Sequence, residues 1–180
     1  MKILVTGGAG FIGTHTCIVL LNEGFDLVVV DNLINSSEEA LSRVKEISGK
    51  EVTFYKADIL DEKALDEIFA KEKPEAVIHF AGLKAVGEST QKPLLYFHNN
   101  ITGSVILFSV MQKHNVRKIV FSSSATVYGD PASVPVMEDV PLSATNPYGR
   151  TKLFIEEILG DLNKSEDGWQ ISLLRYFNPI

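Results

Sequence analysis

The chain has 180 residues, 45% of them hydrophobic, and a formal net charge of −6 at neutral pH. That length and apolar content suit one domain with a sizeable core and exclude a disordered chain. The acidic balance argues against nucleic acid as a partner. No stretch is expected to approach the ~20 apolar residues of a bilayer span, so no membrane contact is expected either.

Short β-branched runs alternate with helical patterns from one end to the other. The start, Ile3-Leu4-Val5, is broken by Thr6 and glycines, unlike a secretory leader. Strands are predicted at residues 2–5, 27–30, 52–55, 76–79, 118–121 and 171–174. Several are continuously apolar, as parallel strands covered on both faces should be. Helices are predicted near 11–22, 37–48, 62–71, 93–114 and 147–163, with Gly24 and Gly49 at helix ends. Asn146-Pro147 suits a helix start, because proline is tolerated in a first turn. The proline-bearing stretch 129–146 reads as a surface excursion before that helix. The alternation predicts an α/β fold, a doubly wound parallel sheet of Rossmann type in three layers, over residues 1–180.

The 93–114 helix carries Val105-Ile106-Leu107-Phe108 and Val110-Met111, apolar on more than one face. It is either a helix buried against the sheet, or one whose outer face joins that of 147–163 in a homodimer. Cys17 is the only cysteine. It allows no internal disulfide, suits a reducing cytoplasm, and is expected to be an apolar filler. The four histidines fall in no catalytic or metal-ligand pattern and read as structural.

Gly7, Gly10 and Gly13 follow the first strand and open the first helix. Gly7 permits a tight turn, Gly10 a close approach of pyrophosphate to backbone, and Gly13 close packing of helix on sheet. Phosphates would then face the free N–H groups and positive end of the helix. Asp31 ends the second strand, where a carboxylate accepts from both adenosine ribose hydroxyls and repels a 2′-phosphate. The following Asn32-Leu33-Ile34-Asn35-Ser36-Ser37 offers no lysine or arginine, so NAD is favoured over NADP. Asp58 and Ile59 follow the third strand, where an adenine would lie. Asp58 serves equally well as a turn or cap residue. Phe80-Ala81-Gly82-Leu83-Lys84 follows the fourth, small enough for a cofactor backbone to pass, with Lys84 either meeting an oxygen of it or serving as surface charge.

Ser122-Ser123-Ser124 is expected to follow the fifth strand, at the edge where ligands bind in such sheets. Tyr148 and Lys152 stand four apart and so share a helix face. A phenol has an ordinary pKa of about 10, and a nearby cation favours its ionised, basic form. Ser124, Tyr148 and Lys152 together therefore propose proton transfer beside a bound dinucleotide.

Spacing 7, 10, 13 resembles the extended short-chain dehydrogenase/reductases, whose members carry Thr-Gly-x-x-Gly-x-x-Gly. The runs Asp31-Asn32-Leu33, His79-Phe80-Ala81-Gly82-Leu83-Lys84-Ala85-Val86-Gly87-Glu88-Ser89, Phe121 to Asp130, Tyr148 to Lys152 and Leu174 to Pro179 narrow the resemblance to the UDP-glucose 4-epimerase family. That resemblance implies an isomerase in which Tyr148 takes the proton of the sugar 4-hydroxyl while hydride passes from C4 to NAD. Lys152 would hold the nicotinamide ribose and lower the pKa of Tyr148, and Ser124 would bond the reacting oxygen. It also implies Phe11 and Ile12 at the pyrophosphate, Asn32, Asn35 and Ser36 at the ribose, Asn99 and Phe177 near the nicotinamide, and Asn178 at the UDP-sugar diphosphate. Related 4,6-dehydratases place an Asp-Glu pair after the catalytic Ser or Thr, to eliminate water. Ala125 and Thr126 stand there instead. The family runs well beyond this length, so the expectation is a chain holding the cofactor half, with the substrate-binding portion absent, able to bind NAD with little activity alone. The alternatives are an epimerase of another UDP-sugar and a non-catalytic NAD-binding module.

Overall fold

A computed structural model describes residues 1–179. In chain order it contains β1 (Lys2–Thr6), α1 (Phe11–Asn22), β2 (Asp26–Asp31), α2 (Glu38–Ser48) and β3 (Thr53–Lys56). Next come α3 (Glu62–Glu72), β4 (Ala76–His79), α4 (Val86–Gln91), α5 (Pro93–Tyr96) and α6 (Gly103–Lys113). The chain continues with β5 (Lys118–Ser124), α7 (Pro147–Ser165) and β6 (Gln170–Tyr176). The strands form one parallel sheet in the order β3-β2-β1-β4-β5-β6, as the alternating pattern predicts.

The period-2 geometry of a strand divides the core in two. Leu4, Val28, Val30, Val77, Ile119 and Phe121 face α3, α6 and α7, where Leu65, Phe69, Leu107, Met111, Ile155 and Leu159 meet them. Ile3, Val5, Leu27, Val29 and Ile78 face the other way, onto Cys17, Leu21, Leu41 and Val44 of α1 and α2. Each such side chain contributes about 1.5–3 kcal/mol on burial. Cys17 is fully buried, and burial pushes its thiol up to about 12, so it is packing material as expected.

Helix ends follow the local sequence. Ser37 accepts from the Glu39 N–H at the start of α2, and Gly49 closes it in the left-handed region at φ 69°. Asn146 accepts from the Gly149 N–H at 2.8 Å, with Pro147 in the first turn of α7. The stretch 129–146 contains no helix or strand and is tied back by the Ser143 N–H to the Val127 carbonyl.

Three features depart from the sequence reading. The run predicted as one helix over 93–114 is α5, a π-helical turn over Phe97–Thr102, and α6. Within its 21 residues from Pro93 to Lys113 an 18-residue window reaches a mean hydropathy of 1.2, so one stretch does attain the length and apolarity of a bilayer span. Here Leu107, Phe108, Val110 and Met111 are buried in the domain, which makes it a core helix. Helix α4 has no sequence signature, because Val86-Gly87-Glu88-Ser89-Thr90-Gln91 is poor in helix formers and uncapped. Tyr96 holds it from outside: its hydroxyl accepts from the Ala85 N–H at 3.1 Å and donates to Glu88 at 2.9 Å. Finally, Ser122, Ser123 and Ser124 do not follow β5 but end it, paired in register with Leu174, Arg175 and Tyr176.

Chain order reverses between β1 and β4, which leaves a crevice at their carboxyl ends. The turn after β1 is pressed into it. Gly7 sits at φ 70°, and a Cβ there would lie 2.6 Å from the Ala81 nitrogen. Gly13 is as tightly constrained, its would-be Cβ only 2.5 Å from the Gly7 carbonyl oxygen. Gly160 of α7, in contrast, has open space. Gly13→Ala should therefore lower stability by about 1–3 kcal/mol, and Gly160→Ala should raise it by about 0.5–1 kcal/mol. Equilibrium urea unfolding of the two variants measures both.

Candidate active site

The crevice opens into a cleft of about 620 Å³ lined by the glycine turn, the ends of β2, β4, β5 and β6, and the first turns of α1 and α7. That size falls in the usual range for small-molecule sites. Of the residues singled out from sequence, Gly7, Gly10, Phe11, Ile12, Gly13, Asp31, Asn32, Asn35, Ser36 and Ile59 line it at one end. Phe80, Ala81, Gly82, Lys84, Asn99, Ser124, Tyr148, Lys152, Phe177 and Asn178 line the remainder. Asp58 alone stands outside the lining. Its carboxylate accepts from Asn32 Nδ2 at 2.8 Å and from the Leu60 N–H at 2.9 Å, so it braces the turn after β2 instead.

At the first end, α1 begins without a side-chain cap and with no acidic residue in its first turn. Its N-terminal N–H groups and positive dipole end are therefore available to an anion. Phe11 is 56% exposed there and its ring leans on His15 at 4.7 Å between centroids. Asp31 does more than the sequence suggests. Its Oδ2 accepts from the Ala9 N–H at 3.0 Å, and its Oδ1 accepts from the Leu33 N–H and Ser36 hydroxyl at 2.9 and 2.8 Å. The carboxylate thus clamps the glycine turn to the turn after β2. Of about four acceptor positions on its oxygens, the three bonds leave room for a ribose hydroxyl. A cradle that Cβ atoms at Gly7 and Gly13 would fill, an uncapped helix start and a buried carboxylate together fit an NAD-type dinucleotide.

At the other end, Tyr148 and Lys152 rise from successive turns of α7. Lys152 is 5% exposed. Its ammonium donates to the Ser122 carbonyl at 2.7 Å and lies 4.8 Å from the centre of the Phe121 ring and 5.9 Å from that of Tyr148. Burial brings its pKa down to about 8, against the pull of Glu156, one turn further on, which favours the charge. Burial raises the Tyr148 phenol above its ordinary value, and the Ser124 hydroxyl pulls it the other way. The side chain that acts most on the phenol is thus Ser124, and the ammonium binds a backbone carbonyl. Neither matches the simple pairing read from the four-residue spacing. Ser124 in turn accepts from the N–H and hydroxyl of Thr126 at 3.2 and 3.0 Å, in the 3₁₀ turn Ala125–Tyr128 that ends β5.

Beneath this surface lies a layer that the motif reading missed. Glu156 is 6% exposed and accepts from Ser123 Oγ and from Arg175 Nε and Nη2, the latter at 2.7 Å. Arg175 also donates to the Tyr128 hydroxyl at 3.0 Å, and its partnership with Glu156 holds its pKa above the ordinary range. Glu156 stands four residues after Lys152, the same spacing that joins Tyr148 to Lys152, and that was its only signal in the sequence.

Comparison with known proteins agrees with this geometry. The model of the NAD dependent epimerase/dehydratase family matches residues 3–180. The chain is 64% identical over 180 residues to a UDP-glucose 4-epimerase of Bacillus subtilis (strain 168), covering 100% of this chain and 53% of that protein. It is 61% identical over 179 residues to one from Dictyostelium discoideum, covering 99% and 52%. The crystal structure of the Bifidobacterium longum UDP-glucose 4-epimerase in complex with NAD+ and UDP superposes with a TM-score of 0.98 at 55% identity, covering 100% of this chain and 54% of that one. The chain spans about half the length of the curated relatives it matches. A match over nearly its whole length, joined to a glycine turn and a Ser/Tyr/Lys set on one cleft, means that the chain belongs to the NAD-dependent epimerase/dehydratase family.

Proposed function

We propose that this chain is the NAD-binding half of a 4-epimerase that interconverts UDP-glucose and UDP-galactose, as in galactose metabolism. The observation that carries the reading is the convergence of Ser124, Tyr148 and Lys152 on the cleft that begins at the glycine turn. The start of α1 would hold the pyrophosphate, Asp31 the adenosine ribose, and Lys152 with Asn99 and Phe177 the nicotinamide end. NAD, when bound, supplies a hydride acceptor that can give the hydride back.

Tyr148 takes the proton of the sugar 4-hydroxyl as C4 becomes a ketone, and returns it when C4 is reduced from the opposite face. Ser124 donates to the same oxygen and keeps it within reach of the phenol. Lys152 favours the phenolate by its charge, which Glu156 helps to retain inside the domain. Within a family that includes dehydratases, elimination of water needs an acid after Ser124. Ala125 and Thr126 supply none, and the Thr126 hydroxyl is bonded to Ser124 itself. Epimerisation is the chemistry these residues support. Asn178, beyond β6, would meet the diphosphate of the UDP-sugar, and the rest of a full-length protein would grip the uridine and sugar.

A homodimer is part of the proposal. Leu94, Leu95, Val105 and Phe154 are 80%, 46%, 41% and 41% exposed on α5, α6 and α7, where Phe97 and Phe154 stack. Exposed apolar side chains on neighbouring helices suit a second copy. A cytoplasmic location fits the single buried cysteine and the absence of any disulfide.

In the full-length protein, Tyr148→Phe should lower turnover by at least about a hundredfold while NAD, read by the fluorescence of its reduced form, stays bound. Wild-type turnover in that variant would remove Tyr148 from the chemistry. Lys152→Met takes away the cation that favours the phenolate, so the phenol ionises at higher pH. The alkaline-rising limb of the kcat profile should move up by roughly 1–3 pH units. A limb that stays in place would show that Lys152 does not tune Tyr148.

A further inference from the structure

A buried imidazole that the chemistry above leaves unused sits under the carboxyl edge of the sheet. His79, the last residue of β4, is 0% exposed, with the rings of Phe121 and Phe108 at 5.7 and 6.2 Å between centroids. Its Nδ1 lies 2.6 Å from the Thr6 hydroxyl at the end of β1, and its Nε2 lies 2.9 Å from the Ser104 hydroxyl in α6.

The position of every proton in this chain follows from one acceptor. Ser104 Oγ is 2.6 Å from the Asn100 backbone carbonyl, which can only accept, so the serine proton points there. The serine oxygen must then receive Nε2–H, and in a neutral ring Nδ1 is left with a lone pair. Thr6 therefore donates to Nδ1, while its own oxygen faces the Ala81 N–H at 3.4 Å. The imidazole is neutral and in a single tautomer. Burial and the nearby charge of Lys152 bring its pKa to about 3, so this state holds across physiological pH.

The same Asn100 continues the line into the active site. It belongs to the π-helical turn and is 2% exposed. Its side-chain amide accepts from the Leu83 N–H at 2.8 Å and donates to the Leu83 carbonyl and the Thr151 hydroxyl at 2.9 and 3.0 Å. Thr151 donates to the backbone carbonyl of Tyr148 at 2.7 Å. One line of hydrogen bonds thus runs from Thr6 through His79 and Ser104 to the Asn100 backbone, and a second from the Asn100 side chain through Thr151 to the Tyr148 carbonyl, the two joined covalently at Asn100.

We propose that His79 is a positioning residue that couples the glycine turn to Tyr148, so that a dinucleotide seated on the turn also fixes the place of the base. The inference rests on the NAD-dependent epimerase reading. Neither Thr6 nor Ser104 lines the cleft, although the Thr6 hydroxyl also faces the N–H of Ala81, which does.

The test uses the full-length protein with Thr6→Val, Ser104→Ala, their combination and Thr6→Ser. Thr6→Val and Ser104→Ala should each lower kcat and NAD affinity roughly five- to tenfold with the sugar KM unchanged, since each removes one buried hydrogen bond. The double variant should be little worse than either single one, because both break the same line. Thr6→Ser keeps the hydroxyl and should restore activity. Independently of any variant, nitrogen NMR of the histidine rings should show one Nε2–H tautomer for His79 between about pH 5 and 9, with resonances that move when NAD is added. Wild-type kinetics in both single variants, losses that add in the double variant, or a His79 ring that titrates in that range would each overturn the coupling. Failure of the unaltered protein to bind NAD would overturn the epimerase reading and this inference with it. NAD binding with an unresponsive His79 ring would overturn the inference alone.

Discussion

An ammonium held inside a protein costs several kcal/mol unless its surroundings replace water, and much of this domain is arranged to meet that demand at Lys152. The Ser122 carbonyl takes one of its protons, the Phe121 ring lies under it, and Glu156 supplies opposite charge one helical turn away. Glu156 is buried in its turn and needs donors of its own. Arg175 reaches it from β6 and Ser123 from β5. A single buried cation and its partner carboxylate thereby tie α7 to two strands. The long pairing of β5 with β6, through to Ser124 and Tyr176, keeps those donors in place.

The other end of the cleft is governed by close backbone approach. The Thr6 carbonyl accepts from both the Phe80 and Ala81 N–H groups, and the Gly7 N–H reaches the Val30 carbonyl. The turn is therefore bonded to β4 on one side and β2 on the other, with no room for side chains between. Asp31 adds a charged clamp through the Ala9 N–H. Such a preorganised turn presents helix dipole and free N–H groups without further ordering, which lowers the entropic cost of binding.

Most of the fold could be read from residue order, since β-branched runs and glycine stops act locally. Cys17 as filler and Asn146-Pro147 as a helix start were equally legible. What escaped was long-range. Nothing in Val86-Gly87-Glu88-Ser89 announces a helix, because the hydroxyl that holds it belongs to Tyr96. Ser122 to Ser124 look like a loop until β6, some fifty residues on, is placed beside them. The sequence reading of Asp31 as a candidate ribose acceptor gave no sign of the clamp on its own turn. The placing of Tyr148 and Lys152 on successive turns of one helix was visible as a spacing. The direction in which the ammonium turns depends on a carbonyl from β5, which spacing cannot reveal.

The π-helical turn over Phe97–Thr102 carries one last consequence. An extra residue in a helical run advances the azimuth of everything after it by about 100°. The segments before and after it are thus out of phase, and each can serve a different neighbour. The upstream segment sends Tyr96 inward to hold α4, while the downstream one faces Leu107 and Met111 onto the sheet. Between them, Asn99 lines the cleft while Asn100 is buried, and the Asn99 amide donates to Asn100 Oδ1 at 2.9 Å. An unbroken helix of the same composition would have a single apolar stripe, and could not answer to both.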